Sequence, residues 1–288
     1  MFKQTATLTA VALALVATVS NAHAQEWRTI TSLRQYKGED ALAVEVEYGA
    51  GRLSISPGDQ TALYKATLRY DARAFKPLTQ YQPGRLRVGI EGGSIKGRNM
   101  KSGRLDLVLG TKVPIDLNLK FGAVRADVEL GGLKIRSANI QTGASETDLT
   151  VSSVNSQRCS NLEFQVGAAE FRASNLGNLN CERVRIAGGV GDVTLDFNGA
   201  WKVDADIEVD MGLGSLTLRV PRGLGVEVHK TGFLASFDSQ GLVKRGNVYY
   251  SENWEKAGNR ASFKIDAAFG AIKVVWVEPE AQFIKARR

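Results

Sequence analysis

Few side chains in this sequence could serve as a catalytic base or hold a metal ion. The 288-residue chain contains two histidines and two cysteines, and one histidine, His23, lies at the end of an apolar leader. A Ser-His-Asp or Cys-His arrangement would therefore depend on His229 alone. His229 follows Val226-Glu227-Val228, an alternating stretch typical of a strand. We expect a structural role for His229, and too few His and Cys ligands remain for a zinc site.

The two cysteines, Cys159 and Cys181, are 22 residues apart. Each stands three residues before a large apolar residue, Leu162 and Val184, so the two share one phase of a sequence repeat. Stacked repeats would bring their Cα atoms to about 4.8 Å, inside the range that a disulfide requires. An exported protein meets oxidising conditions. We expect a structural disulfide; two buried thiols, or one exposed thiol, remain the alternatives.

Six acidic residues are the remaining candidates for chemistry. Four alternate along one predicted strand and two lie about one repeat earlier: Asp204, Asp206, Glu208, Asp210, and Asp192, Asp196. Oxygen ligands on adjacent turns could hold Ca²⁺, and paired carboxylates can cleave glycosides. Any solvated strand face shows the same alternation, and the glycine-aspartate spacing of calcium-binding coils is absent. We expect a solvated face, with no catalytic residue, no metal and no cofactor.

The first 24 residues have the layout of a secretory signal peptide. Lys3 is the only charged residue before Glu26, an apolar run follows it, and Ala22-His23-Ala24 places small residues at the positions that signal peptidase reads. We expect cleavage between Ala24 and Gln25. The remaining sequence has no second long apolar run, which predicts a mature chain without a transmembrane segment. The expected location is periplasmic or secreted, in a bacterium.

Strict alternation of apolar and polar residues over five to nine positions predicts an all-β protein. Beneath the strands lies a repeat of about 22 residues, clearest where Cys159 to Gly167 aligns with Cys181 to Gly189. Such a period indicates stacked units that cannot bury their apolar face alone. Like residues recur at like positions, which favours a single-stranded, β-helix-like β-solenoid. An antiparallel meander, with one hairpin per period, is the alternative.

Two segments break this rhythm. Asp59 to Pro83 contains an expected strand pair with a polar return, and Leu242 to Arg260 carries Tyr249, Tyr250 and Trp254. We interpret both as decorations or end caps, because a coil must cover its terminal edges. Residues 25–288 are then one β-solenoid domain, with an N-terminal strand region over about 27–100 and a C-terminal hairpin or cap over about 240–277.

Three stretches resemble one known family. They are Tyr48 to Ile55, the repeats from Phe121 to Gly214, and a closing run from Asn247 through Phe263-Lys264-Ile265-Asp266 to Val274. Together they are similar to the toast-rack and LiaF-like domains of bacterial envelope proteins, which are related to the adhesin-type β-solenoids. The resemblance implies a domain that contacts other proteins, in some members during cell-wall stress. It implies no catalytic residue. Many members also have transmembrane helices, which this chain lacks.

The sequence therefore predicts a non-catalytic interaction or scaffolding module of the cell envelope. Its partner would be an envelope protein or a cell-wall glycan, and an envelope-stress role would follow the resemblance. Nucleic acid is not expected, because the net charge of +7 comes from basic residues that alternate with acidic ones. The alternative is a carbohydrate-active β-helix enzyme, a lyase or hydrolase. That alternative would need Asp, Lys, Arg and His clustered on neighbouring turns, and the sequence shows Asp clusters without matching Arg or His, with Lys202 and Arg183 near enough to balance their charge.

Overall fold

The computed structural model describes residues 25–91, 103–232 and 234–279, and these residues form an all-β protein. The predicted signal peptide, residues 1–24, lies outside the described residues. Apart from a short 3₁₀ helix at Leu176–Leu179, the regular elements described are seventeen strands joined in one sheet. The strands are β1 Trp27–Gln35, β2 Leu42–Pro57, β3 Ala62–Asp71, β4 Lys76–Gln82, β5 Arg85–Glu91, β6 Arg104–Leu109, β7 Pro114–Glu129, β8 Lys134–Thr142, β9 Glu146–Thr150, β10 Asn161–Ser174, β11 Arg183–Asp196, β12 Ala205–Pro221, β13 Gly225–Thr231, β14 Leu234–Asp238, β15 Leu242–Arg245, β16 Val248–Ser251 and β17 Arg260–Val277.

Parallel pairing of the longer strands builds a stack. β10 pairs with β8 and β9 on one side and with β11 on the other, and β12 follows β11. Leu162 lies opposite Val184, and Val184 lies opposite Ile207, so each residue is stacked on its counterpart one repeat later. These strands pair in parallel and not as hairpins. This agrees with the sequence, in which similar residues recur about 22 positions apart.

The order of the layers differs from that of a coil wound in simple sequence order. β17 is inserted between β12 and the pair β13/β14, and β2 lies between β7 and the pair β5/β6. The expectation of one strand per successive 22-residue turn therefore holds for the middle layers only. The outer layers are completed by remote segments, because an exposed strand edge can accept any strand of matching length and apolar pattern.

Antiparallel strands close both ends of the stack. At one end β3 pairs with β6, β1 pairs with β3, and β4 pairs with β5; at the other end β16 pairs with β13, and β15 pairs with β16. The segment from Asp59 to Pro83, expected to hold a strand pair, contributes β3 and β4, and these two strands pair with β6 and β5 and not with each other. Both irregular segments thus supply end strands, which cover backbone groups that would otherwise lack hydrogen-bond partners.

Near the middle of each long strand, the buried side chains switch between odd-numbered and even-numbered positions; we call this the parity shift. In β12 the side chains of Val209 and Met211 are buried, and the next buried ones are Leu216 and Leu218. Because side chains alternate along a strand, this shift divides β12 into two half-strands separated by an outward-facing segment. The same shift occurs in β2, β7, β10, β11 and β17. We call the two outward surfaces the first face, formed by the N-terminal half-strands, and the second face.

Glycines stacked at the bend make this change of direction possible. Gly191, Gly214 and Gly270 lie opposite one another in β11, β12 and β17 and all have φ between 129° and 141°. A Cβ atom on Gly214 would overlap the carbonyl oxygen of Gly191, and one on Gly270 would overlap that of Gly214. Only glycine combines such a φ with so close a backbone approach.

The interior between the two faces is filled by apolar side chains. Phe164 and Phe171, from the two halves of β10, have ring centroids 4.9 Å apart, and Phe197 meets Phe263 edge-on at 5.1 Å. The return loops are fixed by buried amides: Asn155 donates from Nδ2 to the carbonyl oxygen of Ile135 at 2.8 Å. Strands and loops thereby enclose one continuous core.

Candidate functional site

A row of polar side chains crosses the first face perpendicular to the strands. Parallel register stacks one residue from each of eight layers in the order Glu45, Asn118, Asn139, Glu163, Arg185, Glu208, Lys264, His229. Three clefts of about 450, 740 and 870 Å³ lie along this row, and Glu163 lines all three. We call this row of side chains, with the three clefts beside it, the outer groove.

Charges at one end of the outer groove neutralise one another across layers. Glu208 accepts a hydrogen bond from Nε of Arg185 at 3.0 Å and lies 3.8 Å from Nζ of Lys264. The hydrogen bond from Arg185 and its positive charge lower the pKa of Glu208. The carboxylate is therefore held ionised as an ion-pair partner. A general acid would instead need a raised pKa, so that it keeps a proton to donate.

The opposite end is paired in the same way. Nε of Arg87 lies 3.1 Å from Glu45, and its Nη2 lies 3.5 Å from Glu47. Asp116 accepts a hydrogen bond from the hydroxyl of Ser137 at 3.0 Å and forms an ion pair with Arg136. Both ends of the groove are thus charged locally but nearly neutral overall.

Between the two charged ends lies a group of amide side chains, which we call the amide patch: Asn118, Asn139, Gln141 and Asn161. None of these four side chains forms a hydrogen bond to another residue in the described part of the chain. The Oδ1 atoms of Asn118 and Asn139 are also shielded from solvent. The sequence analysis did not identify this patch, although Asn118 and Asn139 recur at one repeat and would have signalled it.

His229 lies in β13 at the far end of the outer groove, with half of its side chain exposed. Its Nε2 is 2.7 Å from Oε1 of Glu227, and Lys264 lies opposite it in β17. The hydroxyl of Ser262 also reaches Glu227, at 3.4 Å. A histidine, a carboxylate and a hydroxyl do meet here, but Glu227 lies between the other two. The serine hydroxyl therefore has no imidazole base in contact with it, as nucleophilic catalysis would require.

The structure separates the six acidic candidates. Asp206, Glu208 and Asp210 face outward on the first face, whereas Asp192 and Asp196 lie beyond the bend on the second face. Asp196 pairs with Arg219 at 2.9 Å, and Asp192 accepts a hydrogen bond from Ser215. Asp204 accepts the backbone N–H of Arg260 at 2.8 Å. In the described ranges no three His, Cys, Asp or Glu residues converge as metal ligands.

Cys159 and Cys181 are joined by a disulfide in the structure, with their Cα atoms 4.4 Å apart. They form an isolated parallel bridge at the start of β10 and β11, and both are buried. The bond therefore ties two adjacent layers of the stack at their shared edge, two residues before Asn161 and Arg183, which line the outer groove.

Stacked parallel layers, bent at glycines and closed by antiparallel end strands, define an all-β architecture with a polar groove and a disulfide. The family described as "N-terminal domain of toast_rack, DUF2154" matches residues 20–170 and 153–219. The chain belongs to this toast-rack family, as its resemblance in sequence indicated.

Several solved structures are similar to this chain. A candidate cell adhesion protein from Clostridium sporogenes is 18% identical, with 88% of this chain and 100% of that chain covered and a TM-score of 0.45. A candidate adhesin from Bacteroides fragilis is 12% identical over 86% and 97%, with a TM-score of 0.40. A candidate lipid-binding protein from Parabacteroides distasonis is 11% identical over 84% and 96%, with a TM-score of 0.33. No curated protein matches the chain.

Among the described residues, no helix has the length and apolar character needed to cross a membrane.

Proposed function

We propose that this protein is a non-catalytic, exported β-solenoid of the cell envelope that acts as an interaction or scaffolding module. Its partner would be an envelope protein or a cell-wall glycan. The observation that carries this proposal is the outer groove, a row of polar side chains in register across eight layers. Its charged groups are arranged as ion pairs between layers and do not converge on one reacting position, as a catalytic site would require.

Several features support export. The leader ends in Ala22-His23-Ala24, and a disulfide is expected in an oxidising compartment. We propose cleavage between Ala24 and Gln25, leaving residues 25–288 as one domain. N-terminal sequencing of the protein recovered from the envelope tests the cleavage; a retained Met1 would contradict it. An envelope-stress role, which rests on the family resemblance, predicts higher expression when cell-wall synthesis is inhibited.

Site-specific photo-crosslinking in intact cells tests the interaction proposal. A photoreactive amino acid would replace Gln165, an outward residue of the outer groove, and in a matched control Thr217, an outward residue of the second face. We expect a defined crosslinked species from position 165 and none from position 217. Equal crosslinking from both positions, or none from position 165, would contradict a partner in the groove.

A further inference from the structure

The amide patch stands out because its hydrogen-bonding capacity is unused. Each Asn or Gln side chain can donate two hydrogen bonds and accept two. Polar groups that are shielded from solvent in folded proteins are nearly always paired, so an unpaired one calls for an explanation. Oδ1 of Asn118 and Oδ1 of Asn139 are two such atoms, and they lie on adjacent layers of the groove.

We propose that the amide patch binds a neutral, hydroxyl-rich glycan chain that lies along the stack; this rests on the proposed function and names the ligand class of the same groove. Asn118 and Asn139 lie opposite each other in β7 and β8, and Asn161 begins the next layer, opposite Ser137. Adjacent layers are about 4.8 Å apart, which is close to the length of one pyranose unit. A linear glycan can therefore place hydroxyl groups against amides on successive layers, and rotation about the broad χ2 torsion of each Asn brings its shielded Oδ1 to the ligand.

Charge favours a neutral glycan over an anionic one. Glu45, Asp116 and Glu163 line the cleft at the amide patch together with Arg85. Glu45 and Asp116 are already paired with arginines, and Glu163 accepts a hydrogen bond from Gln165 at 2.8 Å. With Arg85 in the same cleft these charges nearly balance, so a polyanion gains no net attraction there, whereas sugar hydroxyls can donate hydrogen bonds to the carboxylates.

The backbone argues against a peptide as the ligand. β7, β8 and β10 are hydrogen-bonded to neighbours on both sides, so no free strand edge is available in the groove for an added strand. The exposed large apolar residues of the described chain lie outside the groove, at Leu33, Val190, Leu213, Leu234, Val243 and Phe269. Phe121 and Val166, which line the cleft beside Gln141, are at most 5% exposed, so apolar side chains of a peptide would gain little contact at the amide patch.

Titration of the mature protein with cellohexaose and chitohexaose, two neutral hexasaccharides, followed by calorimetry tests the inference. Hexagalacturonate is the anionic comparison and a Gly/Ser decapeptide is the peptide comparison. We expect a neutral hexasaccharide to bind, and Asn118→Ala with Asn139→Ala to weaken binding at least about tenfold, since two amides lose their hydrogen bonds. Thr194→Ala with Thr217→Ala, a pair on adjacent layers of the second face, is the matched control and should leave the affinity unchanged.

Each other result has a definite meaning. Unchanged binding by the Asn118/Asn139 variant, with an unchanged melting temperature, would overturn the assignment to the amide patch. Binding of hexagalacturonate or the decapeptide in place of the neutral sugars would overturn the ligand class. No hexasaccharide binding, together with a protein crosslinked at position 165, would overturn this inference and leave the interaction module standing. Hydrolysis of a hexasaccharide would instead overturn the proposed non-catalytic function.

Discussion

Many polar contacts of the side chains on this stack are formed with residues one layer away. The pairs Arg185–Glu208, Arg125–Glu146 and Arg158–Glu182 each join neighbouring layers. Exposed ion pairs of this kind contribute little, typically below about 1 kcal/mol each. Their main effect is to place opposite charges next to each other in adjacent layers. A pairing of the strands shifted by one residue would lose these contacts, so the ion pairs disfavour it.

The disulfide is the strongest single link between layers. We expect Cys159→Ser with Cys181→Ser to lower the free energy of unfolding by roughly 3 kcal/mol, because a closed loop of this size restricts the unfolded chain. Denaturant unfolding monitored by circular dichroism measures this difference. A reducing agent should destabilise the wild type and leave the double variant unchanged. Free alkylation of both thiols in unfolded, unreduced protein would show that the bond does not form.

Glu39 should make stability depend on pH in the acidic range. Its carboxylate accepts hydrogen bonds from the backbone N–H of Lys37 at 2.7 Å and from Arg34 and Tyr81 at 3.3 Å. The backbone bond from Lys37 is the largest cause of a lowered pKa. A carboxyl group whose folded pKa is lowered stabilises the fold above its unfolded pKa of about 4.3, and this contribution is lost as the pH falls through the folded pKa.

Glu39→Gln should therefore destabilise the protein near pH 7, and the difference from wild type should shrink as the pH falls below about 4. Melting temperatures measured between pH 3 and pH 7 provide the test. Glu252→Gln, at an exposed position, is the control and should follow the wild-type curve. A difference between wild type and Glu39→Gln that stays constant with pH would contradict the role of the ionised carboxylate.

At the level of single elements, the bend in each long strand decides which apolar residues are buried. Val190, Leu213 and Phe269 occupy equivalent positions at the bend of β11, β12 and β17, and each is about half exposed. Strict alternation continued from the first half-strand of β12 would bury Leu213. The parity shift instead turns it outward and buries Leu216.

Two substitutions in β12 distinguish these alternatives. Leu216 is 2% exposed and Leu213 is 51% exposed. We expect Leu216→Ala to cost about 2–5 kcal/mol of unfolding free energy through lost contacts and a cavity, and Leu213→Ala to cost about 0.5 kcal/mol or less. Urea unfolding of the two variants gives both values. Similar losses for both would mean that the bend does not shift the parity of the strand.

Over the whole molecule, stability should be distributed unevenly along the stack. Nine parallel layers at about 4.8 Å give a stack of roughly 40 Å, somewhat shorter than ten 22-residue turns would give. β11 and β12 are paired on both sides, whereas β15 pairs with β16 alone and is largely exposed. In stacked repeat proteins each layer is stabilised mainly by its neighbours.

Hydrogen exchange measured by mass spectrometry should reflect this difference. We expect the amides of β11 and β12 to exchange slowly, through global unfolding, and those of β15 to exchange faster by local opening. The same measurement on the Cys159→Ser/Cys181→Ser variant should show the greatest loss of protection near the start of β10 and β11. Equal protection of β15 and β12 would contradict a stack whose layers depend on their neighbours.

The sequence determined the features that repeat locally. Alternation with a period of two specified strands, and the match of Cys159–Gly167 with Cys181–Gly189 specified the pairing of Leu162 with Val184 and of the two cysteines. These predictions succeed because a residue and its counterpart one repeat later occupy equivalent positions in adjacent layers. The toast-rack family could likewise be inferred from the glycine phase and the closing strand.

Only the tertiary structure decided which remote segments complete the ends of the stack and which residues share a face. The sequence placed Asp192 one turn before the acidic residues of β12, but the bend moves it to the second face. Nothing local distinguishes β17 from β13 as the neighbour of β12, because both carry alternating apolar residues and the choice depends on edges formed by the rest of the chain. The outer groove arises in the same way: Asn118 and Glu45 are far apart in sequence, and their adjacency depends on pairing between β2 and β7.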